Sequence, residues 1–423
     1  MTRPYTASAL ITAICLLASC SSDLHRTAVP GPGPSIRVSI ADPAATAVIG
    51  LQKGAVIETE STRYILSDSG ALYCSVNERG HLVARTGKTE LDCGQGVRCI
   101  PRDAEGAFIL GRTRYPDTLL VTTDGARLFL VNIVALERYL RGVVPNEIGY
   151  DRDPAEIEAV KAQAILARTY AMRKAELPIA RLFDLHADTR DQVYTGLSRS
   201  SVETDRAVRE TAGLALSYES KYAECYYHGT CGGSTEAVSL VWGRPQSKPY
   251  LAGIRDAGRH GTYCSSSPQF RWTESYSRDD IENILRANLG AAHDSLERGG
   301  PDRTLHLLDL AILHRMPSGR VARLKAVFGN RARQWPVELE GDRMRWVLRR
   351  PDGFSPLRST LFDLAIERDQ NRWITRVTIR GGGNGHGIGF CQTGALDRAK
   401  KGYTCEEILR AYFPGTTVVA SSP

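Results

Sequence analysis

Residues 153–174 read DPAEIEAVKAQAILARTYAMRK and contain the strongest helix signal of the chain. Asp153 suits the N-cap, Pro154 the first helical position and Glu156 the third, so three start signals agree. The run that follows, 157–174, is rich in alanine, and small side chains let a helix pack closely against neighbouring backbone. This segment therefore predicts a central, buried helix.

The residues on either side of this helix predict a mixed fold. Between residues 36 and 130, short apolar runs alternate with polar positions and are broken by Gly, Asp and Asn, which is typical of strands. The dipeptide Asp124-Gly125 predicts a hairpin turn. Beyond the central helix we expect helices at 204–211, 278–289 and 393–409, and strands at 214–227 and across much of 305–379. Elements that are mixed without regular alternation indicate an α+β fold, β-rich at the N-terminus with a mixed α/β body around the central helix.

Composition narrows the class of protein. The chain has 423 residues, 42% of them apolar and 24% charged, which excludes a disordered protein, a collagen-like repeat and a multi-span membrane protein. Lys and Arg number 54 against 47 Asp and Glu, and this net charge of +7 favours an anionic partner.

The N-terminus carries an export signal. Its apolar run, 9–17, is too short to span a bilayer but suits the core of a secretory signal. The following Leu17-Ala18-Ser19-Cys20 resembles a bacterial lipobox, in which the cysteine is lipidated; an ordinary signal peptide is the alternative. Ser21 after the cysteine resembles the signal for the outer membrane, so we expect a lipoprotein on its periplasmic face. The predicted organisation is a signal at 1–20, a Pro/Gly/Ser-rich tether at 21–35, a β-rich part at 36–130 and a core at 131–423.

Cysteines form the second conspicuous group. Of ten, Cys15 is expected to leave with the signal and Cys20 to carry lipid, which leaves eight. An even number in an exported protein predicts a disulfide framework, whose connectivity the sequence leaves open. Cys225, His228 and Cys231 could instead supply zinc ligands to a metal-dependent hydrolase, but their spacing departs from the usual zinc pattern.

Two polar residues stand out for their surroundings. Glu147 follows Val143-Val144-Pro145 and precedes Ile148, and a poorly solvated carboxyl has a raised pKa that suits a proton donor; an ordinary loop glutamate is the alternative. His386 lies in the Gly-rich stretch 381–395, which lacks the βαβ context of a dinucleotide site. It is either a buried structural histidine or part of a site. Cys391 has no neighbours that would clearly activate it as a nucleophile.

Together these segments resemble the stage II sporulation protein D (SpoIID/LytB) family. The agreement is carried, in family order, by VNIVALERYLRGVVPNE (131–147), EAVKAQAILARTY (158–170), QVYTG (192–196), TCGGST (230–235), PYL (249–251), GHGIGFCQTGA (385–395) and YFPGT (412–416).

The resemblance implies a lytic transglycosylase that cleaves between N-acetylmuramic acid and N-acetylglucosamine in peptidoglycan strands stripped of stem peptides. It maps the catalytic glutamate onto Glu147. A hydrolytic glycosidase needs two carboxyl groups, whereas here the sugar's own 6-hydroxyl can attack C1, so one carboxyl suffices as acid and then base. No cofactor and no nucleic-acid partner are implied.

The shared motifs also suggest residues that bind sugar or support Glu147: Lys161, Gln163, Arg168, Gln192, Tyr194, Ser234, His386 and Gln392. Arg168 or Lys161 could in addition meet the lactyl carboxylate of a peptide-free muramic acid.

The chain departs from the family in its cysteines. Some members bind zinc just ahead of the Gln-x-Tyr motif, but here residues 184–191 contain one histidine and no cysteine, so we expect no metal there. Cys231 and Cys264 look like a disulfide between the Gly-Gly turn and the segment after 249–251. Cys391 stands where the family often has serine, which argues against a nucleophile.

A second function remains open within the same family. One branch is named for enhancing a cell-wall amidase, and the chain could be a non-catalytic wall-binding partner of such an N-acetylmuramoyl-L-alanine amidase. The retained Glu147 favours the enzyme.

Overall fold

The computed structural model describes residues 33–103, 105–177, 182–244, 248–259, 261–292, 304–330 and 333–421. These residues form two compact units, the first made of 33–142 and 174–198, the second of 143–173 and 199–421. The predicted signal 1–20 with Cys20, and the tether up to residue 32, lie outside the described residues.

Within that part of the chain the first unit is built mainly of strands, and their bounds are as follows: β1 Ser35–Ser39, β2 Thr46–Leu51, β3 Val56–Glu58, β4 Arg63–Ile65, β5 Gly70–Val76, β6 Leu82–Thr86, β7 Thr89–Asp92, β8 Gly96–Ile100, β9 Ala107–Leu110, β10 Thr113–Pro116, β11 Thr118–Thr123, β12 Leu128–Ala135 and β13 Leu185–His186.

These strands form two sheets, in the orders β13-β1-β12-β11-β8-β3-β4 and β10-β9-β2-β5-β6-β7. The predicted hairpin at Asp124-Gly125 is confirmed, since β11 and β12 pair antiparallel on either side of it. Strand β12 runs through the predicted boundary at 130/131 and pairs with β1 and β11. A strand held on both sides cannot separate two units, which is why the units differ from the predicted division 36–130 and 131–423.

Helices and further strands make up the rest of the described chain. The helices are α1 Leu136–Ile148, α2 Ile157–Ala175, α3 Val202–Glu210, α4 Val238–Trp242, α5 Arg278–Ala292, α6 Met344–Val347, α7 Gln392–Lys400 and α8 Cys405–Tyr412, with 3-10 turns at Pro154–Glu156, Pro249–Leu251, Tyr263–Ser266 and Gly341–Arg343. The strands of the second unit are β14 Leu214–Tyr218, β15 Lys221–Tyr222, β16 Tyr227–His228, β17 Ala257–Gly258, β18 Gly261–Thr262, β19 Trp272–Ser277, β20 His306–Arg315, β21 Val321–Gly329, β22 Gln334–Glu340, β23 Phe362–Arg368, β24 Ile374–Gly381, β25 Phe390–Cys391 and β26 Thr417–Ala420.

The predicted central helix is confirmed as α2, and its start is capped as the sequence indicates. The Asp153 carboxylate accepts from the Ala155 N–H, and the Glu156 carboxylate accepts from the Asp153 N–H at 3.2 Å. Residues 162–169 are all buried. A turn takes about 3.6 residues, so the helix is enclosed around its whole circumference. No helix among the described residues has both the length and the apolar character that crossing a membrane requires.

A second β-rich region follows in the second unit. Sheets β19-β24-β23 and β20-β21-β22 share a core with α5, in which Tyr276, Leu285 and Phe328 are fully buried. The helix predicted at 393–409 is two helices, α7 and α8. Gly402 at φ +85° ends the first, and Thr404 caps the second. The α+β class is confirmed.

Candidate functional site

Glu147 lies in the last turn of α1 and is half-buried. No helix was predicted here, and a proline inside a helix removes one backbone hydrogen bond. The helix continues through Pro145 nonetheless, since Val143 and Val144 are fully buried and packing outweighs the local preference. It ends at Ile148, and Gly149 follows in the left-handed region at φ +96°. Glu147 therefore projects from the carbonyl end of a helix.

The next glutamate along the chain, Glu156, is committed to structure. It is 6% exposed, pairs with Lys400 at 2.9 Å and Arg152 at 3.5 Å, and closes the capping box of α2. A carboxylate held by two cations and a backbone N–H has a structural role at the start of α2.

The structure brings Gln163 and Gln392 together. The Gln392 Nε2 donates to the Gln163 Oε1 at 3.3 Å, which joins the middle of α2 to the first residue of α7. Gln163 is fully buried, and its own Nε2 has no hydrogen-bond partner within the described residues. This amide is the kind of orphaned donor that a sugar oxygen could satisfy.

Arg168 and Lys161 have partners in the fold. Arg168 is fully buried and donates to the carbonyl oxygens of Leu214 at 3.0 Å and Val208 at 3.4 Å. A residue so enclosed supports the site from behind rather than touching a sugar. The Lys161 ammonium pairs with two carboxylates, Glu158 at 2.8 Å and Glu210 at 2.9 Å, and these hydrogen bonds raise its pKa.

His386 organises the Gly-rich loop. Its Nδ1 accepts from the Ile388 N–H at 3.0 Å, so its Nε2 carries the proton and donates to the Tyr227 carbonyl oxygen, also at 3.0 Å. Burial lowers the pKa of His386 to about 4. Both ring nitrogens are thus used by backbone, which makes this a neutral, structural histidine.

Ser234 lies half-buried beside the Gly-Gly turn. It forms an isolated bridge with Arg255, and its carbonyl oxygen accepts from the Arg320 guanidinium at 2.8 Å. These two contacts fix the backbone at Ser234. Sugar binding by its side chain stays a prediction.

Gln192 and Tyr194 belong to the first unit and are buried. The Gln192 Oε1 accepts from the Tyr139 hydroxyl at 3.0 Å, and the Tyr194 hydroxyl donates to the Asn132 Oδ1 at 2.9 Å. Exposed fractions of 0% and 2% leave neither side chain a surface for sugar in this conformation. Their hydrogen bonds instead fasten the QVYTG motif to Tyr139 of α1 and to Asn132 of β12.

The structure shows no disulfide among the described residues, and the expected disulfide framework stays a prediction. The eight cysteines among the described residues are buried, free thiols. The predicted pair, Cys231 and Cys264, has its sulfur atoms 3.4 Å apart, well beyond the roughly 2.0 Å of a disulfide.

These two thiols belong to a larger group. The Sγ atoms of Cys231, Cys264 and Cys391 and a carboxylate oxygen of Asp256 all lie within 4.8 Å of one another. Asp256 was missed by the sequence reasoning, although an acidic residue between the PYL motif and Cys264 was an available signal. Cys225 and His228, suggested as ligands with Cys231, bond elsewhere, to the carbonyl oxygens of Ala223 and Ile388.

Residues 184–191, where some family members bind zinc, hold their acidic groups in ion pairs. Asp184 pairs with Arg37 at 2.6 Å, and Asp191 pairs with Lys174 at 2.6 Å. These contacts fasten the segment to the first unit.

Comparison with known proteins shows which families match parts of this chain. The profile of the family described as Stage II sporulation protein (SpoIID) matches residues 124–218, the segment that contains α1, Glu147 and α2. Residues 124–218 are therefore a SpoIID-type segment, and two of the relatives found are named Stage II sporulation protein D. A second profile, described as Domain of unknown function (DUF8618), matches residues 254–389, which include Asp256 and Cys264.

The relatives that this chain matches are less than 30% identical to it. An uncharacterized protein of Brachyspira hyodysenteriae is 28% identical over 75% of this chain and 75% of its own length. Stage II sporulation protein D of Bacillus subtilis is 24% identical over 68% of this chain and 75% of its own length. The amidase enhancer of the same organism is 26% identical over 66% of this chain, and the match spans 40% of that relative.

Proposed function

We propose that this chain is a peptidoglycan lytic transglycosylase in which Glu147 is the single general acid and base. The SpoIID-type segment and the amidase enhancer relative support a cell-wall-related function. The observation that carries the finer proposal is the position of Glu147, half-buried in the last turn of α1 within the SpoIID segment. The carbonyl end of a helix disfavours negative charge, and this favours the protonated form that a general acid needs.

The reaction balances with one carboxyl group. Glu147 donates its proton to the glycosidic oxygen as the bond from that oxygen to C1 of the muramic acid breaks. The 6-hydroxyl of the same sugar bonds to C1, and its proton passes to the Glu147 carboxylate. No water is consumed, and the enzyme ends in its starting protonation state. The raised pKa that this double role asks of Glu147 stays a prediction.

Product end groups test this mechanism. Peptide-free glycan strands digested with the purified chain should yield 1,6-anhydromuramic ends by mass spectrometry, and reducing muramic ends would contradict it. The Glu147→Gln variant should lose activity by about 100-fold or more, since a positioned acid contributes at least that much. Glu406→Gln is the matched control, because Glu406 is an exposed glutamate in the first turn of α8. Unfolding curves of both variants should match the unmodified chain.

The amidase enhancer relative favours a second candidate function, stimulation of a wall amidase without glycan cleavage. The chain would then release nothing from glycan alone but accelerate an N-acetylmuramoyl-L-alanine amidase on intact peptidoglycan. Glu147→Gln separates the two proposals: the variant should lose glycan cleavage under the first, and it should keep amidase stimulation under the second, in which Glu147 donates no proton.

Export as a lipoprotein is a separate proposal. Lipid on Cys20 would hold the chain on the periplasmic face of the outer membrane and keep it near its substrate. Labelling with a radioactive fatty acid should mark the chain, and Cys20→Ala should abolish both labelling and membrane association.

A further inference from the structure

We propose that Cys231, Asp256, Cys264 and Cys391 bind one zinc ion. The four residues come from four separate segments of the second unit: the Gly-Gly turn, the residue before β17, the 3-10 turn Tyr263–Ser266 and the end of β25. Their ligand atoms lie within 4.8 Å of one another, and each residue is 0% exposed. Zinc binding at this site does not require the proposed reaction at Glu147 to be correct.

Distances within the cluster fit a tetrahedral metal better than a disulfide. Zinc–sulfur bonds of about 2.3 Å place two sulfur ligands about 3.8 Å apart in a tetrahedron. The Cys231 sulfur lies 3.4 Å from the Cys264 sulfur and 3.4 Å from the Asp256 Oδ2, so a shift of a few tenths of an ångström apart would bring the two sulfur atoms to tetrahedral spacing. A disulfide would use two of the three thiols and leave the third packed against a buried carboxylate. Three sulfur donors select zinc over calcium or magnesium, which take oxygen ligands.

Backbone N–H groups are aimed at the sulfur atoms. The Cys391 sulfur accepts from the N–H groups of Cys231 at 3.2 Å and Gly394 at 3.4 Å, and the Cys231 sulfur accepts from Gly233 at 3.3 Å. Such donors would stabilise the negative charge that each sulfur carries once it binds a metal. The turn that supplies the Cys231 and Gly233 N–H groups needs glycine, because Gly232 and Gly233 have φ values of +79° and +125°.

Two buried arginines balance the charge of such a site. Three thiolates and one carboxylate around a zinc ion leave an excess of about two negative charges. The Arg398 guanidinium donates to the Asp256 Oδ1 at 3.0 Å, and the Arg320 guanidinium donates to the Cys231 carbonyl oxygen at 2.7 Å. The Tyr412 hydroxyl, 3.0 Å from both carboxylate oxygens, donates a further hydrogen bond to Asp256. Buried cations are costly without anions beside them, and a negatively charged metal site next to both arginines would supply that compensation.

Four protein ligands close the coordination sphere, which is the mark of a structural site. The ion would join the Gly-Gly turn to the end of the Gly-rich loop. Ser234 directly follows the first of these segments, and Gln392 directly follows the second. The ion would therefore position two predicted sugar-binding residues without touching the substrate.

Elemental analysis of the full chain, purified without chelator, tests the site. We expect about one zinc per chain, and a loss of about tenfold or more in zinc content for Cys264→Ser, as removal of a ligand typically weakens binding. Cys405→Ser is the matched control, because Cys405 is a buried thiol outside the cluster, and it should keep its zinc.

A second measurement covers the case in which Cys264→Ser fails to fold. The unmodified chain loaded with cobalt should show the sulfur-to-metal absorption and the strong visible bands of a tetrahedral thiolate site. A chain that takes up neither metal, and whose non-reduced peptides show Cys231 joined to Cys264, would overturn the proposal. Because no glycan enters these measurements, their outcome is separate from that of the proposed reaction.

Discussion

Protonation of His386 should destabilise the second unit in mild acid. In the neutral ring, Nδ1 accepts from the Ile388 N–H and Nε2 donates to the Tyr227 carbonyl oxygen, each at 3.0 Å. A proton on Nδ1 would place the Nδ1–H of His386 against the Ile388 N–H, so that one hydrogen bond is replaced by a contact between two donors. Burial is the main cause that lowers the pKa of His386, from 6.5 to about 4; Arg345 and Arg320 lower it further, and Asp342 opposes them.

The size of the effect follows from that shift. Lowering the pKa of His386 from 6.5 to about 4 corresponds to roughly 3 kcal/mol of unfolding free energy, at about 1.4 kcal/mol for each tenfold change in proton affinity. Because the pKa is lower in the folded state, this stability is fully present above pH 6.5 and is lost as the pH falls towards 4. His228, whose ring centre lies 5.4 Å away, has a pKa lowered chiefly by its own burial and acts in the same direction.

Urea unfolding of the full chain between pH 7.5 and pH 4.5 measures the effect, with His386→Gln as the comparison. Glutamine offers an acceptor and a donor of similar reach and does not titrate in this range. The unmodified chain should lose up to about 1.4 kcal/mol more per pH unit than the variant between the two pKa values. The other titrating groups are common to both chains, so the difference reports His386 together with its effect on the neighbouring His228. Parallel stability curves would refute the reasoning.

Two further predictions concern helices. Gly142→Ala should destabilise by about 1–3 kcal/mol or more in urea unfolding, because the added Cβ would lie 2.3 Å from the Gly196 carbonyl oxygen. Its control is Gly290→Ala in α5, where nothing lies within 4 Å and a gain of up to about 1 kcal/mol is expected; equal effects of the two would contradict the packing argument. Thr404→Ala should cost about 1 kcal/mol, because the Thr404 hydroxyl accepts from the Glu407 N–H at the start of α8, and Thr404→Ser should retain most of that stability.

Local signals predicted the elements that local interactions stabilise. The start of α2 was predicted because Asp153, Pro154 and Glu156 act within a few residues of one another. The turn at Asp124-Gly125 was predicted for the same reason. Helix α1 was missed at Glu147, since Pro145 disfavours helix locally while burial of its neighbours favours it.

The candidate site was predicted less completely than the fold. Motifs singled out Arg168, Gln192 and Tyr194, but a motif does not distinguish a residue that touches substrate from one that is buried behind it. The pairing of Gln163 with Gln392 joins positions 229 residues apart in the chain, and no sequence spacing indicates it.

By itself, the sequence determined the α+β class, the capped central helix, the hairpin at Asp124-Gly125 and the SpoIID motifs, because periodicity, capping and turn chemistry act over short stretches of chain. Only the tertiary structure decided which polar residues are enclosed and which thiols meet. Cys231, Asp256, Cys264 and Cys391 are distant in sequence, and what brings their ligand atoms within 4.8 Å is the packing of four separate segments. For that reason cysteines that suggested disulfides in the sequence form a candidate metal centre in the fold.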